Sequence, residues 1–350
     1  MRNPDLSSIS PRRILVCQQR QLGDVLLATP AMELLKKRFP QAELHVFTEK
    51  KCEPLLRHNP HIDAFHLIDK QAGFLGQIAF YRRVAKLGFD LVINFQQLPR
   101  CRMMAWFSHA PVRLSFRTTA WNNRIYTHTV PEQEGYASFS KVSLLEGLGI
   151  HWQGEPPRMW LTQEEKNLAG GLLEQCGLAQ GQKLITIDAT HRRPSKRWPL
   201  ENYAGLIDLL GAFDPGLRFF LLRGPGEDEE VERLRSLCRY PERVFIPDHA
   251  PEIRISAACI QKAVLHIGNC SAPQHMAVAC GTPSLTLTGS SGTSWTYPGP
   301  MHAHLYAGLA CSPCSKIECG DMRCMTLITP RMAFDKAASM LHGDVPALSS

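Results

Sequence analysis

Short apolar runs, separated by longer stretches whose apolar residues recur three and four apart, set the pattern of this chain. In the first half the runs cover residues 14–17, 44–47, 64–67 and 91–94, with a weaker one at 112–114. Runs of that length between turn residues read as buried strands. Helical spacing fills the intervals at 51–57, 75–87 and 101–108, and again at 138–148. A second alternation follows, with strands at 184–188, 218–222, 244–246, 264–268 and 284–288. Its helices fall at 202–212, 227–238, 252–261 and 273–279. Strands alternating with helices predict parallel sheets covered on both faces, so the pattern reads as two α/β units in series. The short, polar, proline-rich stretch Gln153-Gly154-Glu155-Pro156-Pro157 is the linker between them. The expected division is residues 1–155, a linker with a bridging helix at 156–180, a second domain at 181–330, and a closing helix and tail at 331–350. The last part of that tail, 343–350, is expected to be disordered.

The first strand runs into Arg20-Gln21-Leu22-Gly23-Asp24 and then into an amphipathic helix ending in Lys36-Lys37-Arg38. Pro30 interrupts that helix, which predicts a kink or a restart with Thr29 as cap and Pro30 as first residue. Asp24 falls at a helix start, where the dipole favours an ionised carboxylate. It is either a cap or a functional carboxylate. One glycine does not make the dinucleotide pattern G-x-G-x-x-G, and Arg20 adds a cation suited to an anionic ligand.

Composition narrows the class. With 350 residues, 44% apolar and 20% charged, the chain is long enough for two folded domains. No apolar run approaches the roughly 18 residues of a membrane span, and residues 1–13 lack a secretory h-region, so the expected compartment is the cytoplasm. A net charge of +7 favours an anionic partner, while the scatter of basic residues argues against nucleic acid. Of 12 cysteines, eight are dispersed and read as reduced core residues, Cys17, Cys259 and Cys280 among them. The other four, Cys311, Cys314, Cys319 and Cys324, form C-x₂-C-x₄-C-x₄-C. They read as a structural zinc or iron–sulfur site, or as reduced thiols or a facultative disulfide in a loop.

Three strand ends in the second half carry candidate chemistry. Asp188 to Pro199 presents Arg192, Arg193, Lys196 and Arg197 before a Trp-Pro anchor, a set of cations for a diphosphate leaving group or a solvated basic loop. Asn269-Cys270-Ser271-Ala272-Pro273 leads a strand into a helix start, an anion-binding geometry to which Ser271 and His275 can contribute; His275 is equally readable as a core histidine. Thr288-Gly289-Ser290-Ser291-Gly292 is a glycine and hydroxyl turn of the kind that cradles phosphate, or a plain loop.

Taken together these residues resemble a known family. Arg-x-x-Gly-Asp-x-Leu-x-x-Thr-Pro at 20–30 is similar to the opening of the lipopolysaccharide heptosyltransferases, glycosyltransferase family 9. Lys196-Arg197-Trp198-Pro199 resembles their Lys-x-Trp-Pro, and residues 269–275 resemble their Asn-Asp-Ser-Gly-x-x-His. Cys311-Ser312-Pro313-Cys314 with Cys324-Met325 and Ile328-Thr329-Pro330 resembles the tail of many members. The match runs in order from about residue 13 to residue 335. Ser-Ala-Pro at the turn is most similar to the branch that adds the third, side-branch heptose.

The resemblance implies a GT-B fold: two Rossmann-like doubly wound domains facing an inter-domain cleft, acceptor mainly on the first, nucleotide-sugar on the second, and a C-terminal helix crossing back. It implies inverting transfer of heptose from ADP-heptose to the inner core of lipopolysaccharide, with no cofactor and no metal. Asp24 takes the place of the general base and Lys196 that of the phosphate-binding lysine. Thr190, Glu227, Ser271, Ala272, His275 and Gly289 fall at donor-binding positions. The basic balance suits a phosphorylated acceptor at an anionic membrane face, so peripheral contact of the cytoplasmic protein with the inner membrane is expected. Cys270 departs from the family, standing where most members carry Asp, and Ala272 replaces a glycine. A member using another nucleotide-sugar and a catalytically dead binding protein are the rival readings.

Overall fold

Both faces of β1 (Arg13–Cys17) are buried: Ile14 and Val16 enter one apolar cluster, Leu15 and Cys17 another. A strand apolar on both sides needs helices above and below, the condition met by parallel sheets. The computed structural model describes residues 5–342; the tail read as disordered, 343–350, lies outside them. β1 is joined by β2 (Glu43–Glu49), β3 (Ala64–Ile68), β4 (Leu91–Asn94), β5 (Val112–Phe116) and β6 (His128–Val130). All pairs are parallel, in the order β3-β2-β1-β4-β5-β6.

The second sheet repeats the plan with β7 (Lys183–Asp188), β8 (Leu217–Leu221), β9 (Val244–Phe245), β10 (Leu265–Asn269), β11 (Ser284–Thr288) and β12 (His302–Tyr306). Its order is β12-β11-β10-β7-β8-β9, again all parallel. Each sheet therefore starts in its centre, grows to one edge, returns to the centre and grows to the other. That reversal leaves a switch point between β1 and β4 in one sheet and between β7 and β10 in the other. Ligands of open α/β sheets gather beyond the carboxyl ends of the strands at such points.

The chain divides between Trp160 and Leu161 into two compact units, each with its own core. These are two Rossmann-like doubly wound units. The bridging helix, Gln163–Gln175, packs within the second unit: Glu165 both closes a capping box with Thr162 and pairs with buried Arg254. The closing helix, Pro330–His342, packs on the helix Leu200–Phe213, with Phe334 edge-on to Phe213. Among the described residues no helix is long and apolar enough to cross a membrane.

Two strands escape the sequence pattern, β6 and β12. Both are edge strands and both open on histidine, so no apolar run announces them. The first helix does break, into Leu22–Leu26 and Thr29–Arg38. The restart comes one residue earlier than expected. Ala28 is the cap, Thr29 the first residue and Pro30 the second, while Thr29 Oγ1 bonds back to the Leu26 carbonyl at 2.7 Å.

Candidate functional site

The first unit's switch point is built by Gln18, Gln19 and Arg20 leaving β1 and by Asn94, Phe95 and Gln96 leaving β4. Asn94 Oδ1 accepts the Gln96 and Gln97 N–H groups at 3.1 and 3.2 Å, curling the chain after β4. Gln96 then reaches across to take the Arg20 N–H at 2.9 Å. On the other flank Gln19 Nε2 donates to Glu49 Oε1 at 2.9 Å. Glu49 is itself buried; burial opposes its ionisation, but Lys70 at 2.6 Å and the Gln19 bond outweigh it and hold the carboxyl below its ordinary range. The turn after β1 is thus fixed on both sides.

Asp24 is the third residue of the helix Leu22–Leu26 and is half-buried. Its Oδ2 accepts the Gln21 backbone N–H at 3.1 Å, completing a capping box with the Gln21 side chain. Gln21 is steadied in turn by Lys51, 3.4 Å from its Oε1. Asp24 is therefore a cap, and the same bond aims its carboxylate at the turn. A carboxylate has about four lone-pair sites, so one backbone bond does not exhaust it as a proton acceptor.

One residue at this point was not singled out from sequence. Lys141, on the helix Ala137–Ser143, is buried, and its Nζ donates to Gln18 Oε1 at 3.3 Å. Burial lowers its pKa, opposed by the charges of Asp24 and Glu132. The available signal was a lone lysine inside the apolar and serine-rich stretch 138–145.

In the second unit the switch point joins the ends of β7 and β10. Asn269, fully buried, is its hub: Oδ1 accepts the Trp198 N–H at 3.0 Å, and Nδ2 donates to the carbonyls of Ala189 at 3.0 Å and Thr190 at 3.3 Å. Trp198 fills the core, edge-on to Tyr203 with ring centres 4.8 Å apart, and its Nε1 donates to the Ile328 carbonyl at 2.8 Å. The basic segment is therefore an anchored loop, with Lys196 ending a 3₁₀ turn, Pro194–Lys196. Lys196 is half-buried and lies close enough to His275 and His191 to act on both electrostatically. Burial first, then the Lys196 charge, holds His275 down to about 3, so the ring is neutral. Its buried Nδ1 has no hydrogen-bond partner among the described residues.

Ser271 caps the helix Ala272–Cys280, but its hydroxyl makes no bond to the helix N–H groups. It donates instead to Asp188 Oδ2. The expected direct donation from Ser271 Oγ to a phosphate is therefore not available while that bond stands; the opening N–H groups of the helix are. Pro273, second in the helix, has no N–H to lose.

Asp188 is the second residue that sequence reading did not single out. It ends β7, is buried, and its carboxyl is pushed up to about 7 by burial, against the Ser271 bond and with the Glu227 charge adding to the rise. Gly268, its register partner on β10, has no room for a side chain: a Cβ there would lie 2.8 Å from Asp188 Cβ. Glu227 precedes the helix Asp228–Leu237 and takes the Gly224 N–H at 2.6 Å. Thr190 is buried. Thr190, Glu227 and Ser271, the residues expected to bind the donor, thus follow the ends of β7, β8 and β10.

Gly289 is closely packed. A Cβ on it would strike Met325 Sδ and come 3.2 Å from the Ser195 carbonyl. It lets the turn after β11 lie against the lysine loop. The cysteine segment lies beneath the same loop. Ser312 Oγ donates to the Gly289 carbonyl at 2.7 Å, the Ser195 N–H to the Ile317 carbonyl at 3.3 Å, and Ser195 Oγ to the Lys316 carbonyl at 2.5 Å. The four thiols are free, with Cys324 buried and Cys311 exposed. Burial, then Cys314, Cys311 and Cys319, raises the Cys324 thiol. Among the described residues, no three His, Cys, Asp or Glu side chains are disposed to hold a metal ion.

With this geometry in place, comparison with known proteins is specific. The sequence profile of glycosyltransferase family 9 (heptosyltransferase) matches residues 77–324. The lipopolysaccharide heptosyltransferase 3 of Escherichia coli is 30% identical over 288 residues, covering 77% of this chain and 81% of that protein. Among solved structures, the glycosyl transferase family 9 protein from Veillonella parvula superposes with a TM-score of 0.82 at 24% identity. The overlap covers 98% of this chain and all of that one. The E. coli heptosyltransferase WaaC with ADP-2-deoxy-2-fluoro heptose superposes with a TM-score of 0.70 at 18% identity, over 93% and 99% of the two chains. These two structures share its GT-B fold.

Proposed function

Because this chain belongs to glycosyltransferase family 9, we propose that it transfers heptose from ADP-heptose to the inner core of lipopolysaccharide. Transfer inverts the anomeric centre and requires no metal. The observation that carries this reading is the second-unit switch point, where Lys196, the open N–H groups of the helix Ala272–Cys280 and the orphaned Nδ1 of His275 converge. Such a cluster of a cation and fixed donors stabilises charge that develops on a departing diphosphate. Thr190 and Glu227 line the nucleotide side of that position.

Asp24 is the general base. The acceptor hydroxyl gives its proton to the Asp24 carboxylate as its oxygen bonds to the anomeric carbon, and the bond to the diphosphate oxygen breaks on the opposite face. The acceptor is a phosphorylated core saccharide, which suits the half-buried Arg20 in the turn before Asp24 and the net charge of +7. The same basic excess favours a cytoplasmic enzyme working in peripheral contact with the anionic inner face of the membrane.

A thermal-shift panel tests the donor class, since a ligand that binds only the folded state raises its midpoint. ADP-heptose and ADP are expected to raise Tm while UDP- and GDP-sugars do not. A response to UDP or GDP forms alone would move the chain to another donor, and no response to any would overturn the nucleotide-sugar reading. Binding of ADP-heptose without turnover would mark a dead enzyme.

A further inference from the structure

A buried ammonium is costly unless it is closely paired, and Lys141 has no carboxylate within 4 Å among the described residues. Its geometry indicates what that cost sustains. The ammonium lies 3.3 Å from Gln18 Oε1 and 5.8 Å from the centre of the Phe95 ring, so it touches the residues that leave both β1 and β4. Gln18 Nε2 passes the contact on to the Arg20 carbonyl at 3.1 Å, two bonds short of the Gln21 N–H that Asp24 accepts. Two carboxylates act on Lys141, Asp24 and Glu132, and Glu132 is already engaged by Ser140 Oγ at 3.0 Å.

We infer that Lys141 is a positioning residue for the reaction, holding the turn after β1 through Gln18 and supplying the buried positive charge opposite which the Asp24 carboxylate is held in its proton-accepting pose. A hydrophobic residue of the same length would pack at least as well in its place, so stability does not account for the lysine. The inference rests on Asp24 being the base.

The test uses the full-length protein, with transfer from ADP-heptose to a deacylated core acceptor as one readout and Tm as the other. Lys141→Met is expected to lower kcat on the order of 10²-fold, the scale set by misplacing a catalytic group. KM for the donor stays within about twofold, and Tm stays at or above the parent because an unpaired buried charge has gone. Lys141→Arg, which keeps the charge, recovers part of the rate. The double variant Lys141→Met/Asp24→Asn is no slower than Asp24→Asn alone, as two residues acting as one unit require. A parental kcat in Lys141→Met, a lowered Tm or failure to fold would each overturn the inference, the last two by making Lys141 a structural residue. Parental transfer by Asp24→Asn would instead remove the base assignment and the inference with it. An inactive Asp24→Asn beside an unaffected Lys141→Met would overturn the inference alone.

Discussion

The Ser271 hydroxyl donates to the Asp188 carboxyl, tying the last residue of β7 to the cap of the helix Ala272–Cys280. A buried acid lies directly behind the N–H groups assigned to the diphosphate. Its protonation state is therefore coupled to the stability of the second unit.

Asp188 is raised to about 7 from the ordinary 3.8, chiefly by burial. Between those two values the folded chain binds a proton that the unfolded chain has lost. The stability this group contributes is full below about pH 4 and disappears as pH rises through about 7. Asp188→Asn keeps an acceptor for Ser271 without the titration. The difference in Tm between variant and parent is expected to grow in the variant's favour from pH 5 to pH 8, checked by melts at each pH. A difference that stays constant over that range would contradict the shift.

Asp24 caps its helix and is the proposed base, and one substitution pair separates the two. Asn retains an oxygen for the Gln21 N–H, whereas Ala loses it, so Asp24→Ala costs about 1 kcal/mol of stability and Asp24→Asn a few tenths. Both should lower kcat by about 10²- to 10⁴-fold, because neither takes a proton, while ADP binding is unchanged. Denaturant midpoints and calorimetric titration with ADP distinguish the roles. An Asp24→Asn enzyme at the parental rate would leave Asp24 as a cap only.

Lys196 makes no side-chain hydrogen bond among those described, so its removal should spare the fold. Lys196→Ala is expected to weaken ADP binding by about 10- to 100-fold, the worth of a charge-assisted hydrogen bond, with Tm of the free protein within a degree or so. Unchanged ADP affinity by calorimetry would remove Lys196 from the donor site.

Asn269→Ala should do the reverse. It strips partners from the Trp198 N–H and from the Ala189 and Thr190 carbonyls in a fully buried place. Unsatisfied buried groups cost about 1–3 kcal/mol each, so with three stripped a fall of roughly 3 kcal/mol or more in a urea titration is expected, with ADP affinity falling as the lysine loop loosens. A loss under about 0.5 kcal/mol would mean the loop is held elsewhere.

Dialysis against EDTA is expected to leave transfer within twofold of the untreated rate. A collapse restored by added divalent ion would contradict metal-independent transfer.

The central strands were legible because burial on both faces leaves uninterrupted apolar runs: β4 and β11 appear in the sequence at their observed limits. β12, His-Ala-His-Leu-Tyr at an edge, has no such run and was hidden. A break near Pro30, as a kink or a restart, was legible from the missing N–H, and the restart falls one residue earlier than the sequence placed it. The proximity of Lys196 to His275 was not legible, because no local rule relates residues that follow different strands; it follows from β7 and β10 being neighbours. Asp188 and Lys141 were hidden for a related reason. A charged residue in an apolar stretch says only that something must compensate it, and the compensating groups, Ser271 and Gln18, lie far away in sequence.

The bond from Trp198 Nε1 to the Ile328 carbonyl has a consequence for synthesis of the chain. The first unit has all its parts once Trp160 has emerged from the ribosome, including the Arg158 N–H that Thr29 accepts. The lysine loop, by contrast, gains its last anchor only when the segment before the closing helix arrives. At about 5–20 residues per second, the nascent protein therefore carries a finished first half for many seconds before the lysine loop is anchored. A ribosome stalled shortly before Ile328 would hold a chain whose first unit is complete and whose lysine loop still lacks the Trp198 anchor.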